Sequence, residues 1–450
     1  MNTYFLKFQV VPTEANEHYS LVKGALAFCW VVENDAQSAY AKGDFFVTKY
    51  DWKIEKIDTF PVEVTKEHFL EKDIGIEQYN KAQEEGIAIV YSAWAKDGKT
   101  TAGPMVLNPS NKFNLSEYLG KQKQLKKKGR CLHYNGNHRC KEIINAHSIQ
   151  KNQSLEAISD NGHVYILSSD IGSLKKNRGR LTYKKRGVNR VSTFLGFCRK
   201  HDNELFEPID NLLLFPTNQQ VFLYAYRSLC RELFVKENAL ALFEDQLRKM
   251  PEMNPIKELL FNTKTGTAFG LKNLRNHKTV FDNSLKKKSY FDIKYVLFVS
   301  KQKSFIAFSG LFYPDFDFMG RQLQNLGNHK SKLDLIAICT APVDSGWGVL
   351  FSWHDSSSNV CREFMSSLAT MAYEGNRLGD LIFRMAISNC ENLAIAPNWW
   401  EKLPENHKEQ ITSRATLMAN IFSTTKPSYL MEGIEGIAPW NFESVIDNMN

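Results

Sequence analysis

Three of the chain's eight cysteines and five of its eleven histidines fall within residues 131 to 201. Cys131 and Cys140 stand nine positions apart with Gly136 between them, which suits a turn joining two short strands. Cys198 and His201 have C-x-x-H spacing, which suits the first turn of a helix and lets both side chains face one ion. Cys131, Cys140, Cys198 and His201 together make a closed tetrahedral site for a structural Zn²⁺. Thiolate and imidazole donors favour zinc over Mg²⁺ and Ca²⁺, which seek oxygen. His133 and His138 are alternative ligands in the same stretch. Such an ion constrains the fold strongly, because 57 residues lie between the two ligand pairs.

The same region carries the charge. Residues 121 to 200 hold 19 Lys and Arg against four acids, Glu142, Glu156, Asp160 and Asp170. The rest of the chain holds 38 Lys and Arg against 45 Asp and Glu, so one basic segment sits in a slightly acidic protein. A polyanion, most often nucleic acid, is the natural partner. Ser173 to Arg190 has eight basic residues and no acid among eighteen: Lys175, Lys176, Arg178, Arg180, Lys184, Lys185, Arg186 and Arg190. With Gly179 and Gly187 they suit a loop or ribbon that follows a phosphate backbone, with Tyr183 available to stack on a base.

The pattern of residues 131 to 202 resembles the HNH, or ββα-metal, nucleases in their zinc-stapled treble-clef form, closest to the phage endonuclease VII branch. The resemblance covers about 75 of the 450 residues. It implies that His147 is the general base that activates water. It implies that Asp202, directly after the last zinc ligand, matches the Asn that helps hold a catalytic Mg²⁺ or Mn²⁺. Ala146 stands where that branch has a metal-binding Asp, and Asn145, Glu142 or Asp160 would have to compensate. The first cysteine pair is also wider, and 50 residues separate His147 from Cys198. The expectation is a metal-dependent endonuclease acting on DNA rather than RNA, of the kind found in bacterial anti-phage defence effectors. The alternative is a non-catalytic, zinc-stabilised nucleic-acid binder or sensor.

The whole chain reads as an α+β multidomain protein. Residues 1–108 form a small α+β domain, with strands at Tyr4–Val11, Leu26–Val32, Trp52–Val64 and Ile87–Trp94. Helices are expected from Ala36, capped by Asn34 or Asp35, and at Glu77–Glu85 before Gly86. Pro104 to Leu115 reads as a linker and Asp97-Gly98-Lys99 as a turn. Residues 109–208 form the basic zinc module, 209–288 a helical region, and 289–450 a C-terminal α+β domain. In the last, strands are expected at Ile293–Ser300, Phe305–Gly310, Leu333–Thr340 and Gly346–Trp353, and helices at Asn359–Ile387 and Trp399–Phe422.

Other candidates are weaker. Trp353-His354-Asp355 reads as a strand-to-turn junction, and Asp315 and Asp317 as sheet-edge acids. Phosphate-loop, dinucleotide-binding and serine-hydrolase signatures are absent from the sequence. No window approaches 18 consecutive apolar residues, no secretory leader is visible and the cysteines are sparse. A cytoplasmic protein with no membrane partner is expected. The flanking domains are the expected seat of any protein partner or homo-oligomer contact.

Overall fold

The computed structural model describes residues 1–69, 73–96, 104–107, 115–136, 140–168, 181–249, 257–344, 346–417 and 425–449. Its N-terminal unit is a five-stranded antiparallel sheet in the order β3-β1-β2-β4-β5, built from β1 (Asn2–Pro12), β2 (Val22–Glu33), β3 (Trp52–Val64), β4 (Ile87–Ala95) and β5 (Pro104–Leu107). Alternation along β1 sends Tyr4, Leu6, Phe8 and Val10 into one buried cluster under the helix Ala36–Lys49. Asp35 caps that helix, accepting the Ser38 amide at 2.8 Å. The other face packs Trp30 and Phe69 with the helix Asp73–Glu85, which ends at Gly86 with φ +85°. β5 pairs with β4, so the expected linker begins as an edge strand. Residues 97–99 and 108–114 lie outside the described residues.

A second sheet has eight strands in the order β15-β10-β13-β12-β11-β14-β7-β8. Most come from the C-terminal part: β10 (Ile293–Ser300), β11 (Ile306–Phe312), β12 (Ile336–Val343), β13 (Gly346–His354), β14 (Leu393–Ile395) and β15 (Ser444–Asp447). Along β10, Ile293, Tyr295, Leu297 and Val299 face one cluster, while Val296 and Phe298 face the other. Both faces are covered, which explains why these strands read as continuous apolar runs. The helices Ser358–Tyr373 and Leu378–Asn389 cover one face, and the helices Asn218–Lys249 and Lys257–Lys287 the other. The single helix expected over Asn359–Ile387 is interrupted at Gly375, whose φ is +97°. The helix expected at Trp399–Phe422 becomes Pro397–Trp400 and Glu405–Thr416, and residues 418–424 lie outside the described residues.

Two strands of this sheet come from the basic segment. β7 (His163–Ser168) pairs antiparallel with β14 through Ala394↔Ile166, and β8 (Thr182–Gly187) pairs with β7. The sheet therefore runs across the boundaries drawn at 208 and 289.

β6 (Ile143–His147) and β9 (Thr193–Cys198) form a separate antiparallel pair, and the helix Arg199–Asp210 follows directly. Ala146, Phe194, Phe197, Phe206 and Ile209 of this unit share a buried cluster with the helix Asn218–Lys249 and the eight-stranded sheet. Among the described residues, no helix is long and apolar enough to cross a membrane.

Candidate metal centre and adjoining polar cluster

Three segments build the cluster. Backbone bonds lay residues 130–132 along β9: the Arg130 amide donates to Leu195 at 2.9 Å and the Leu132 amide to Gly196 at 2.8 Å. The chain then turns, the Gly136 amide donating to the His133 carbonyl at 2.6 Å. A Cβ at Gly136 would lie 2.5 Å from the Cys131 carbonyl oxygen, so only glycine fits this close approach. The turn expected between Cys131 and Cys140 exists, but no regular strands flank it, and residues 137–139 lie outside the described residues. Ile143↔Cys198 pairing sets Cys140 beside the end of β9. Cys198 is the N-cap of the helix Arg199–Asp210, so His201 falls in its first turn, as the C-x-x-H spacing implies.

The ligand atoms of Cys131, Cys140, Cys198 and His201 all lie within 4.8 Å of one another. The three Sγ atoms sit 3.3, 3.5 and 3.4 Å from His201 Nδ1. A tetrahedral zinc with Zn–S near 2.3 Å and Zn–N near 2.0–2.1 Å requires an S···N edge of about 3.6 Å. Hydrogen bonding alone does not account for the convergence, since one imidazole nitrogen has one lone pair and three thiols surround it. The group could hold a structural metal such as zinc. Burial, first, pushes the Cys131 thiol up to about 11, opposed by backbone hydrogen bonds from Cys198 and His133. A metal ion must therefore displace protons to bind, so affinity rises with pH. His133 is outside the ligand group. It stacks on the His201 ring at 4.1 Å and 12°, and its Nδ1 accepts the Asn135 amide at 3.1 Å. Burial and His201 lower its pKa to about 4. His138 lies outside the described residues.

His147 ends β6, half-buried, with Nε2–H donating to the Val188 carbonyl at 3.4 Å. Burial lowers its pKa, and the Val188 bond partly opposes this. Asp202 is pushed up to about 6 by burial, with Arg227 lowering it and Asp210 raising it. Arg227 and Asp210 also act on His147, so these four groups form one electrostatic neighbourhood. Arg227 is its buried hub: it donates from Nη2 to Asp210 at 2.7 Å and lies 4.3 Å over the Phe206 ring. Its Nε and Nη1 are buried without a protein partner. Arg227 was not singled out from the sequence. The signal was a lone cation within the apolar run Val221–Cys230, whose residues are all buried.

The carboxylates considered as substitutes for position 146 are engaged elsewhere. Glu142 pairs with Arg199 at 2.7 Å, and Asp160 lies 3.6 Å from Lys185. Asn145 is exposed on β6. Among the described residues, the only metal-ligating group of three or more is the Cys/His cluster, and no oxygen-rich set surrounds Asp202.

The basic ribbon is partly spoken for. Lys185 also donates to Glu401 at 3.1 Å, and Arg186 Nη1 donates to the Lys185 carbonyl at 3.4 Å. Tyr183 packs its ring against Trp400 at 4.7 Å, and burial pushes its hydroxyl pKa up. That ring is thus a packing element of the sheet edge. Lys184 lies on β8 and Arg190 ends the turn that follows it, exposed. Lys175, Lys176, Arg178 and Arg180 lie outside the described residues.

The other sequence candidates resolve as packing and turn residues. His354 caps a turn, its Nδ1 accepting the Ser356 amide at 3.1 Å. Asp317 is fully buried and organises a loop through the Met319 and Arg321 amides. Trp30 and Trp52 are core residues, whereas Trp94 is exposed. No known protein family, curated protein or solved structure matches this chain.

Proposed function

We propose that this protein is an HNH-type phosphodiesterase acting on nucleic acid, with a zinc-stapled ββα module as its working part. One observation carries the reading: β6, β9 and the helix after them bring His147 and Asp202 into the electrostatic neighbourhood of one buried arginine, beside the Cys/His cluster. The order β6, β9 and helix, with β7 and β8 inserted between the two strands, supports this reading.

In this reading His147 takes a proton from water on the nitrogen not bonded to Val188. The resulting hydroxide attacks phosphorus, the P–O bond to the leaving sugar oxygen breaks, and that oxygen takes a proton from solvent. A lowered His147 pKa keeps the ring neutral, and so able to accept a proton, at neutral pH. The resemblance would place Mg²⁺ or Mn²⁺ on Asp202. Among the described residues, no complete oxygen site for it is present.

The test is cleavage of supercoiled plasmid and of RNA with added Mg²⁺ or Mn²⁺, comparing wild type with His147→Ala. Metal content is measured on the same samples. The expected result is cleavage that falls by about 100-fold or more in His147→Ala while zinc is retained. Equal cleavage by both proteins refutes the assignment of the base. A second reading, a zinc-stabilised nucleic-acid binder that cuts nothing, is favoured by Ala146 and by the lack of an oxygen group around Asp202. It predicts salt-dependent binding without cleavage under any metal condition.

A further inference from the structure

Along β9 lies a cavity of about 850 Å³. Its walls are the helix Leu115–Lys127, β9, the helix Asn218–Lys249 and the chain around Cys390. Five cations line it, Lys123, Lys126, Lys127, Arg190 and Arg231, against the single acid Glu391 among the described lining residues. We propose that this cavity binds a nucleoside phosphate, the cations holding the phosphates and the aromatic and amide lining holding the base.

Burial first, and then the nearby Arg231, disfavour the charge on Lys126, with Glu391 only partly compensating. The ion pair of Arg231 with the neighbouring Glu232 leaves the excess of cations in place. A bound polyanion relieves this repulsion at the cavity's largely exposed cationic rim.

Size and lining argue for more than a bare phosphate. The volume falls within the roughly 300–1,000 Å³ of small-molecule sites. Phe243 and Phe312 are half-buried on its walls and offer flat apolar surface to a base. Asn238 also lines it, and its buried amide nitrogen has no partner, a donor that a turn of the side chain would bring to a base carbonyl. One buried donor, two half-buried rings and five cations are the chemistry of a nucleotide site.

The nucleotide has two sources, a free nucleotide or one unit of a nucleic-acid strand. Thr193 lines the cavity and is the register partner of His147, and Asn145, two residues from His147, lines it too. A strand seated there would pass the candidate base. The proposal does not depend on His147 cutting anything, so binding and cleavage fail separately.

The test is calorimetric titration of the full chain with ATP and with GTP, using pyrophosphate as the plain-anion probe and a 5′-phosphorylated single-stranded decamer as competitor. Lys123 and Arg190 are exposed, so Lys123→Gln with Arg190→Gln leaves the fold intact. This pair is expected to weaken nucleotide binding by about tenfold or more. Asn238→Ala is expected to weaken the nucleotides but not pyrophosphate, and Lys303→Gln, away from the cavity, to change nothing. A decamer that displaces the nucleotide assigns the site to a strand, and one that binds without displacing it assigns the site to free nucleotide. Either outcome supports the site. Absence of nucleotide binding, affinities unmoved by the paired substitution, or pyrophosphate competing as well as ATP overturns the proposal.

Discussion

Stripping the metal from the Cys131, Cys140, Cys198 and His201 group is expected to loosen a defined part of the molecule. An ion held by these four residues would cross-link two ligand pairs separated by the 57 residues 141–197. In a chain-entropy treatment, a cross-link closing a loop of that length stabilises the folded state by about 4 kcal/mol. Without it, the turn at 131–136 is held to β9 by the Arg130 and Leu132 amide bonds and to the helix Asn218–Lys249 by the Arg130–Glu237 pair. Hydrogen exchange before and after treatment with a strong zinc chelator reads this directly. The Arg130, Leu132 and Arg199 amides are expected to exchange up to about a thousandfold faster once the metal is removed. The β1–β2 amides of the N-terminal sheet, which share no buried cluster with this unit, serve as the internal control. Metal content measured in parallel ties the change to the ion, and re-addition of Zn²⁺ is expected to reverse it. Protein that takes up no zinc, or exchange at these three amides that ignores the chelator, refutes the reasoning.

Two further outcomes follow from the buried polar groups. In the Arg227–Asp210 pair the arginine is 2% exposed and the aspartate 37%, so removing either partner costs unequal amounts. Asp210→Asn strands a buried guanidinium and is expected to cost about 3–5 kcal/mol. Arg227→Met leaves a carboxylate that water already reaches, and is expected to cost about 1–2 kcal/mol, chiefly lost stacking on Phe206. Urea denaturation of both variants checks the order, and an equal or reversed order sinks the argument. His277 is buried, its Nε2–H donating to the Leu333 carbonyl at 2.7 Å while Nδ1 has no partner, and burial lowers its pKa to about 4. An imidazole depressed in the folded state binds its proton more readily when unfolded. Its contribution, roughly 3 kcal/mol, is full above pH 6.5 and is lost as pH falls through about 4. His277→Gln keeps an N–H donor and does not titrate, so its stability is expected to vary less between pH 7 and 4. An unchanged pH slope refutes this.

Much of the local structure was legible in the residues themselves. Asn34 or Asp35 announced a cap, which falls on Asp35, Gly86 announced a helix end, and the apolar runs at 293–300 and 346–353 announced strands, because caps and apolar periodicity act within a few residues. The C-x-x-H pair was legible for the same reason: one helical turn fixes both side chains. The joining of Cys131 and Cys140 to that pair was a chemical expectation, and the observed S···N distances of 3.3 to 3.5 Å agree with it.

What the residues alone determined was the inventory: a Cys/His set, a basic stretch, a list of strands and helices. Their assembly was decided by contacts between distant parts of the chain. β7 and β8 enter the C-terminal sheet because Ile166 pairs with Ala394, a partner far along the sequence that no local pattern names. The burial of Arg227 follows from the packing of its helix against the sheet on one side and the β6–β9 unit on the other. Packing on the sheet's other face turns Tyr183 onto Trp400, and Lys185 is tied to Glu401 at the same edge. Side chains that read as a surface for nucleic acid were thereby given partners within the protein. The physical reason is that backbone pairing and apolar burial take whichever partner the fold brings close, and only the folded chain brings these residues together.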